Sequence, residues 1–203
     1  MTDIKIKKIE DFEIGFKRLK NAKLELAGEE NIYEYLRARI FLSKLALNDV
    51  SPCSFYALRP NLEFQKILWE KLMEKFRIEL FDLPGILYLE IDGRSVGLVP
   101  PFVEIYKEEN GINTLTLQDG IHRFLLARDF GIKQKCIIIQ NDFADKRYLP
   151  YAYPNSWKEV SIVDKVPAVK RRFRRKDPYS FMRPLKAIFD TKLVQDWADY
   201  GRS

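Results

Sequence analysis

One short stretch of the chain carries a carboxylate, an imidazole and a guanidinium side by side. These groups belong to Asp119, His122 and Arg123, and Gly120 and Ile121 stand between them. His122 is the single histidine of the 203 residues. A glycine-containing turn with these side chains can bind an anion if a helix begins there, because a helix N-terminus presents backbone N–H groups and partial positive charge. The types and spacing therefore point to phosphate binding.

The flanking sequence predicts the elements that position this turn. Residues 114–117 alternate polar and apolar side chains, which indicates a half-buried strand. A short helix is expected over 124–130 and ends at Gly131, and residues 132–140 then form a buried strand. A structural interpretation stands beside the functional one: Asp119 caps the helix, His122 makes one buried hydrogen bond, and Arg123 is a solvated charge.

The stretch 117–123, together with Ala127, Gly131 and the apolar residues 137–139, resembles the nucleotide-binding core of the ParB/sulfiredoxin superfamily. The resemblance is nearest to the free serine kinases, whose turn reads Asp-Gly-His-His-Arg, and Ile121 replaces the first of those histidines. ParB itself has a Gly-Glu-Arg-Arg type of turn, which makes a partition function less expected. Sulfiredoxin needs a catalytic cysteine where this chain has Ile121, which argues against sulfinic acid reduction.

The resemblance implies a nucleotide-dependent phosphotransferase that acts on a small hydroxyl-bearing metabolite. ATP or ADP, with CTP as a further choice, would be bound together with Mg²⁺, and no direct protein ligand to the metal is expected. The nucleotide-binding set is Asp119, Gly120, Ile121, His122 and Arg123. Asp119 and His122 are also expected to take part in catalysis.

In the serine kinase-like members an acidic residue after a strand-ending proline is the proposed general base. Glu63, three residues after Pro60, is the nearest match and completes the expected catalytic set. The alternative for Glu63 is structural, because an acidic side chain in the first turn of a helix is favoured by the helix dipole alone.

The remaining pattern predicts an α+β fold with a small mixed sheet. Strands are expected over 54–58, 86–91, 95–99, 102–106 and 112–117, and helices over 31–47 and 61–79. We expect three parts: a helical N-terminal extension over 1–52, a ParB/sulfiredoxin-like core over 53–147, and an aromatic and basic C-terminal extension over 148–203 packed on the core. A content of 46% hydrophobic residues is sufficient for a substantial core.

Charge is concentrated near the C-terminus. The net charge of +6 comes entirely from residues 161–203, because the preceding 160 residues are balanced. The densest part is 170–176, and its expected ligand contacts are Arg171, Arg172, Arg174 and Arg175. This run is a candidate for binding nucleotide phosphates or nucleic acid, with a solvated face as the alternative.

Two cysteines, Cys53 and Cys136, lack metal or redox spacing and are expected to be buried free thiols. One histidine makes a conventional zinc site close to excluded. The sequence shows neither a signal peptide nor an apolar run near the ~20 residues of a membrane span, so we expect a cytoplasmic protein with no membrane partner. Oligomerisation stays open.

Two function classes follow. The first is the phosphotransferase implied by the resemblance. The second is a non-catalytic ParB-like module that responds to a nucleotide or binds nucleic acid through residues 170–176. The sequence after the core carries no helix-turn-helix signature, which argues against reading of a specific DNA sequence.

Overall fold

Most of the described elements are strands, and the longer strands build two main sheets. This computed structural model describes residues 3–26, 29–32, 35–107, 111–140, 150, 152–174, 184–194 and 196–197. The helices are α1 (Phe12–Lys20), α2 (Arg59–Phe76) and α3 (Ile121–Asp129). The strands are β1 (Ile4–Glu10), β2 (Leu24–Leu26), β3 (Glu29–Ile32), β4 (Arg39–Leu45), β5 (Ser51–Pro52), β6 (Tyr56–Leu58), β7 (Ile86–Ile91), β8 (Arg94–Leu98), β9 (Phe102–Lys107), β10 (Asn113–Asp119), β11 (Gln134–Gln140), β12 (Ser161–Val163) and β13 (Asp196–Trp197).

The larger sheet has the strand order β4-β11-β9-β10-β5 and mixes parallel with antiparallel pairs. β10 pairs antiparallel with β9 and parallel with β5, and β11 pairs parallel with β9. The second sheet has the order β1-β7-β8-β13, and two short pairs, β12-β6 and β2-β3, stand beside the main sheets. The predicted α+β fold with a mixed sheet is confirmed.

The apolar runs of β7 and β11 are continuous because each strand has both faces buried. Ile86 and Tyr88 of β7 pack with Ile137 and Ile139 of β11 in one core, which α1 also joins. The alternate residues of β7 face α2, whereas those of β11 pack with Phe124 of α3. The two sheets therefore share a central core, and α2 and α3 cover the outer faces.

The helix predicted over residues 31–47 is wrong. Residues 39–45 form β4, which pairs antiparallel with β11 from Arg39 opposite Gln140 to Leu45 opposite Gln134. Alternation decides this outcome, because Ile40 packs in the central core while Phe41 packs on the opposite face of the sheet. The N-terminal part is thus not a helical extension: among its described residues, strands β1 and β4 belong to the main sheets. The boundaries of the three expected parts stay a prediction.

Described residues of the C-terminal part pack on the core through aromatic and aliphatic side chains. Trp157 contacts Phe124 at 6.1 Å between ring centroids and donates from its indole nitrogen to the Val50 carbonyl oxygen at 2.8 Å. Leu185 and Ile188 are buried in the central core. No helix in the described ranges has the length and apolar character needed to cross a membrane.

Candidate functional site

The turn predicted between a strand and a helix lies between β10 and α3. β10 ends at Asp119, Gly120 caps the helix with a φ of 98°, and α3 begins at Ile121. A Cβ atom at Gly120 would lie 2.5 Å from Cβ of Pro101, so only glycine fits both the dihedral angle and the space. The glycine thus allows the turn to close against the β8–β9 connection.

His122 connects the first turn of α3 to the start of α2. Its Nε2 accepts a hydrogen bond from the backbone N–H of Leu58 at 3.0 Å, and Leu58 is the N-cap residue of α2. Two helix N-termini, each with a partial positive charge of about half a unit, therefore meet at one imidazole. His122 itself is half-buried.

Arg123 points into the protein. It is 5% exposed, and its Nη1 donates to the carbonyl oxygen of Val99 while Nη2 lies 3.4 Å from Oδ2 of Asp119. Val99 follows β8 and precedes Pro100, so the guanidinium fixes the β8–β9 connection against α3. These contacts give Arg123 a structural role in the turn.

The other residues of the turn divide between backbone and packing roles. The Asp119 side chain is about a quarter exposed and pairs with Arg123, so it helps to orient the turn. Ile121 packs its side chain against the core that contains Phe124 and Leu117. What Ile121 and Gly120 offer to a ligand is their backbone, at the start of the helix.

Glu63 lies near the start of α2, the helix whose N-cap residue Leu58 is hydrogen-bonded to His122. Glu63 is exposed and is the fifth residue of α2, while Asn61 and Gln65 occupy the buried face. At about 100° per residue, Glu63 points nearly opposite to both. Within the described part of the chain, no hydrogen bond or ion pair joins Glu63 to residues 119–123. Its role as general base stays a prediction.

Two arginines of the basic run reach the sheet that carries the turn. Nη1 of Arg171 donates to Sγ of Cys53 at 3.1 Å, and that thiol donates to the carbonyl oxygen of Leu117 at 3.2 Å. Nη2 of Arg174 donates to the hydroxyl of Tyr106 at 3.1 Å. Arg171 is therefore two contacts from β10, close to the strand end that leads into the turn.

Arg172 faces the opposite way. It is exposed, donates to the carbonyl oxygen of Pro154 at 3.0 Å and lies over the ring of Tyr153. Lys170 and Phe173 are exposed as well, so the run presents an outer face while Arg171 and Arg174 contact the domain. Arg175, the fourth predicted contact, falls outside the described residues.

A buried polar cluster on β9 and β10 was missed by sequence reasoning. Glu104 is 5% exposed and accepts a hydrogen bond from the hydroxyl of Tyr35. Thr116 is fully buried and donates to the hydroxyl of Tyr106 at 3.0 Å. Alternation in residues 114–117 predicts a half-buried strand, whereas Thr116 on the polar face of β10 is fully buried. The missed signal was Glu104 within an otherwise apolar strand.

Gln118 adds to this cluster, next to the turn. Both polar atoms of its carboxamide are buried and have no hydrogen-bond partner among the described residues. The register of β10 against β9 shifts between Leu117 and Asp119, which leaves Gln118 as the extra residue of a β-bulge. The strand is therefore irregular where it approaches the turn.

Both cysteines are buried free thiols, as predicted. Burial raises the pKa of Cys53, and the nearby guanidinium of Arg171 acts in the opposite direction. Burial raises the pKa of Cys136 to about 12. In the described ranges, no three histidine, cysteine or acidic residues are grouped as a metal site.

The sequence profile of the ParB CE domain matches residues 16–161, which is most of the chain. The chain belongs to the ParB CE domain family. The match begins within α1, includes α2 and the turn at Gly120, and ends at the first residue of β12. The expected ParB-like superfamily is thereby confirmed. No curated protein and no solved structure matches the chain.

The matched span separates the turn from the basic run. Residues 119–123 lie within the ParB CE domain, and residues 170–176 lie beyond its C-terminal end. Arg171 and Arg174 nevertheless contact residues of the domain, Cys53 after β5 and Tyr106 of β9. The basic run therefore packs on the domain without being part of the match.

Proposed function

We propose that this ParB CE domain protein is a nucleotide-dependent phosphotransferase that acts on a small hydroxyl-bearing metabolite. The observation that carries the proposal is the hydrogen bond between His122 and Leu58, because it holds the N-termini of α2 and α3 together. In this proposal the phosphates of ATP or ADP bind where the two helices begin. The resemblance of the turn to that of the free serine kinases supplies the reaction.

The electrostatics of the two helix ends favour phosphate. α2 has 18 residues and α3 has nine, and each leaves N–H groups of its first turn without a partner inside the helix. The one carboxylate of the turn, Asp119, is paired with Arg123, which reduces its repulsion of an anion. On this proposal the backbone binds the phosphates, and the buried Arg123 supports the site by holding the turn in place.

Phosphoryl transfer depends chiefly on positioning and on neutralisation of charge. The bond between the γ-phosphorus of ATP and its bridging oxygen breaks, a bond from the substrate hydroxyl oxygen to that phosphorus forms, and ADP leaves. Mg²⁺, when bound with the nucleotide, would supply further neutralisation of charge. Glu63 is the proposed acceptor of the hydroxyl proton, and Arg171 and Arg174 are proposed to approach the substrate from the basic run.

The test is ³¹P NMR of the protein with Mg²⁺, a pooled panel of hydroxyl-bearing metabolites and ATP, ADP or CTP in turn. A new phosphomonoester signal that is lost in His122→Ala supports the proposal. Glu63→Gln examines the proton acceptor separately, and an unchanged rate in that variant removes Glu63 from the mechanism. Nucleotide binding without turnover reduces the function to a nucleotide-responsive module, and absence of binding rejects the site.

The exposed half of the basic run favours one second candidate, a module that binds nucleic acid. Lys170 and Arg172 are exposed beside Phe173, which is 38% exposed and can stack on a base. The test uses a double variant that carries Lys170→Gln and Arg172→Gln. Its matched control carries Lys186→Gln and Lys192→Gln, which replace two exposed lysines elsewhere in the C-terminal part. This candidate predicts that the nucleic-acid affinity of the wild-type protein falls steeply as the salt concentration rises. The dependence on salt should be weaker in the first double variant and unchanged in the control.

A further inference from the structure

The hydrogen bond at His122 determines which nitrogen of the ring carries the proton. The partner of Nε2 is the backbone N–H of Leu58, 3.0 Å away, and a backbone N–H can only donate. Nε2 must therefore present its lone pair. A neutral imidazole has one protonated nitrogen, so the proton is on Nδ1.

We infer that the Leu58 N–H holds His122 as the neutral Nδ1–H tautomer, so that His122 acts as a hydrogen-bond donor and not as a general base. A general base needs a lone pair directed at the substrate hydroxyl, and the one lone pair of this ring is occupied by α2. In a complex, Nδ1–H can donate to a phosphate oxygen. That last step rests on the proposed function, whereas the tautomer does not.

Leu58 is a positioning residue through its backbone. It has a φ of −82° and a ψ of 127°, ends β6 and caps α2, and its side chain offers no cap hydrogen bond. The imidazole thus uses an N–H at a helix boundary, where donors commonly need a partner outside the helix. Because the ring belongs to α3, its orientation is set jointly by α2 and α3.

The protein offers an unusually clean test, since it contains one histidine. Protein labelled with ¹⁵N-histidine gives a single imidazole, and long-range ¹H–¹⁵N correlations tell Nδ1 from Nε2. At mildly alkaline pH we expect a protonated Nδ1 and an unprotonated Nε2. The urea-unfolded protein is the control, because a free imidazole favours the opposite tautomer. A folded protein with the proton on Nε2, or with the average shifts of the unfolded control, overturns the inference.

Two variants of His122 test whether its side chain acts as the hydrogen-bond acceptor for the Leu58 N–H. Gln at position 122 can still accept from the Leu58 N–H through its amide oxygen, whereas Leu cannot. We expect His122→Gln to unfold at a urea concentration closer to wild type than His122→Leu does. A loss of stability as large in His122→Gln as in His122→Leu contradicts the acceptor role.

The nucleotide readout distinguishes this inference from the proposed function. Addition of Mg²⁺–ADP should shift the Nδ1 resonance and leave the tautomer unchanged. An Nδ1–H tautomer with no response to nucleotide rejects the proposed function and keeps the inference. A proton on Nε2 rejects the inference whether or not nucleotide binds.

Discussion

The guanidinium of Arg123 lies 3.4 Å from the carboxylate of Asp119, one helical turn away, and also donates to the Val99 carbonyl oxygen. The pair stabilises the turn between β10 and α3 on its buried side. The side chain that would otherwise be the obvious phosphate ligand is thereby committed to holding the site together.

Replacement of Arg123 by Ala should destabilise the protein and weaken nucleotide binding. The change leaves the Val99 carbonyl and Asp119 without their partner, and a buried polar group left unsatisfied costs about 1–3 kcal/mol. Urea unfolding measures the loss, and calorimetric titration with ADP measures binding. Arg123→Lys is the matched control, because it keeps the charge but cannot reach both acceptors in the same planar geometry. Unchanged stability in Arg123→Ala would contradict the structural role.

Gly120→Ala should be more destabilising than Gly131→Ala. Both glycines have positive φ, 98° and 66°, so each substitution carries backbone strain of about 1–2 kcal/mol. A Cβ at Gly120 also meets Pro101, whereas at Gly131 nothing lies within 4 Å. The difference between the two unfolding free energies therefore contains the contact with Pro101 together with the greater backbone strain at a φ of 98°, which lies outside the left-handed region that 66° occupies. Equal losses would mean that the turn does not press against the β8–β9 connection.

Stability should fall in acid because of Glu10. The hydrogen bond from Arg18 lowers the pKa of this carboxyl to about 2, against an ordinary value of 4.5, and burial opposes that effect. Because the folded-state pKa is the lower one, the stabilisation is complete above about pH 4.5 and is lost as the pH falls towards about 2. Midpoints of urea unfolding, measured from about pH 6 to about pH 3, test this dependence of stability on pH.

Glu10→Gln is the control for the loss of stability at low pH. The variant should be less stable at neutral pH and should lose less stability on acidification. A residual slope is expected from Asp82 and Glu90, because ion pairs with Lys135 and Lys7 lower the pKa of these carboxyls. A variant with the full wild-type slope would show that Glu10 is not responsible.

Neither cysteine should react in the folded protein. The Cys53 and Cys136 thiols are buried, and burial raises the pKa of both, so the reactive thiolate is scarce. A chromogenic disulfide reagent should detect both thiols in urea and neither one in native buffer. A fast-reacting thiol in the native state would contradict the placement of Arg171 and Leu117 around Cys53.

Arg174→Ala should destabilise the protein more than Arg172→Ala. Arg174 bonds to Tyr106 and lies 4.0 Å over the ring of Tyr153, whereas Arg172 is exposed. We expect a loss of about 1–2 kcal/mol for Arg174→Ala from the hydrogen bond and the cation–π contact. Urea unfolding of the two variants provides the comparison. Equal losses would show that the basic run does not pack on β9.

The sequence determined the strand–turn–helix around Gly120. Alternation predicted β10, Gly131 marked the end of α3, and the continuous apolar run predicted β7 over its full length from Ile86 to Ile91. These features depend on residues that are close in sequence, so hydrophobic periodicity and helix-ending residues are sufficient to specify them. The ParB-like superfamily was recognisable for the same reason, because its signature is a contiguous turn.

Tertiary structure decided what local patterns could not. Residues 39–45 have helical spacing as well as alternation, and only pairing with β11 makes them a strand. The roles of His122 and Arg123 were likewise open, because Leu58 and Val99 are distant in sequence and bring a donor and an acceptor that no spacing reveals. Contacts between remote backbone groups form only in the folded chain, and these contacts determine which side chains of the turn remain for chemistry.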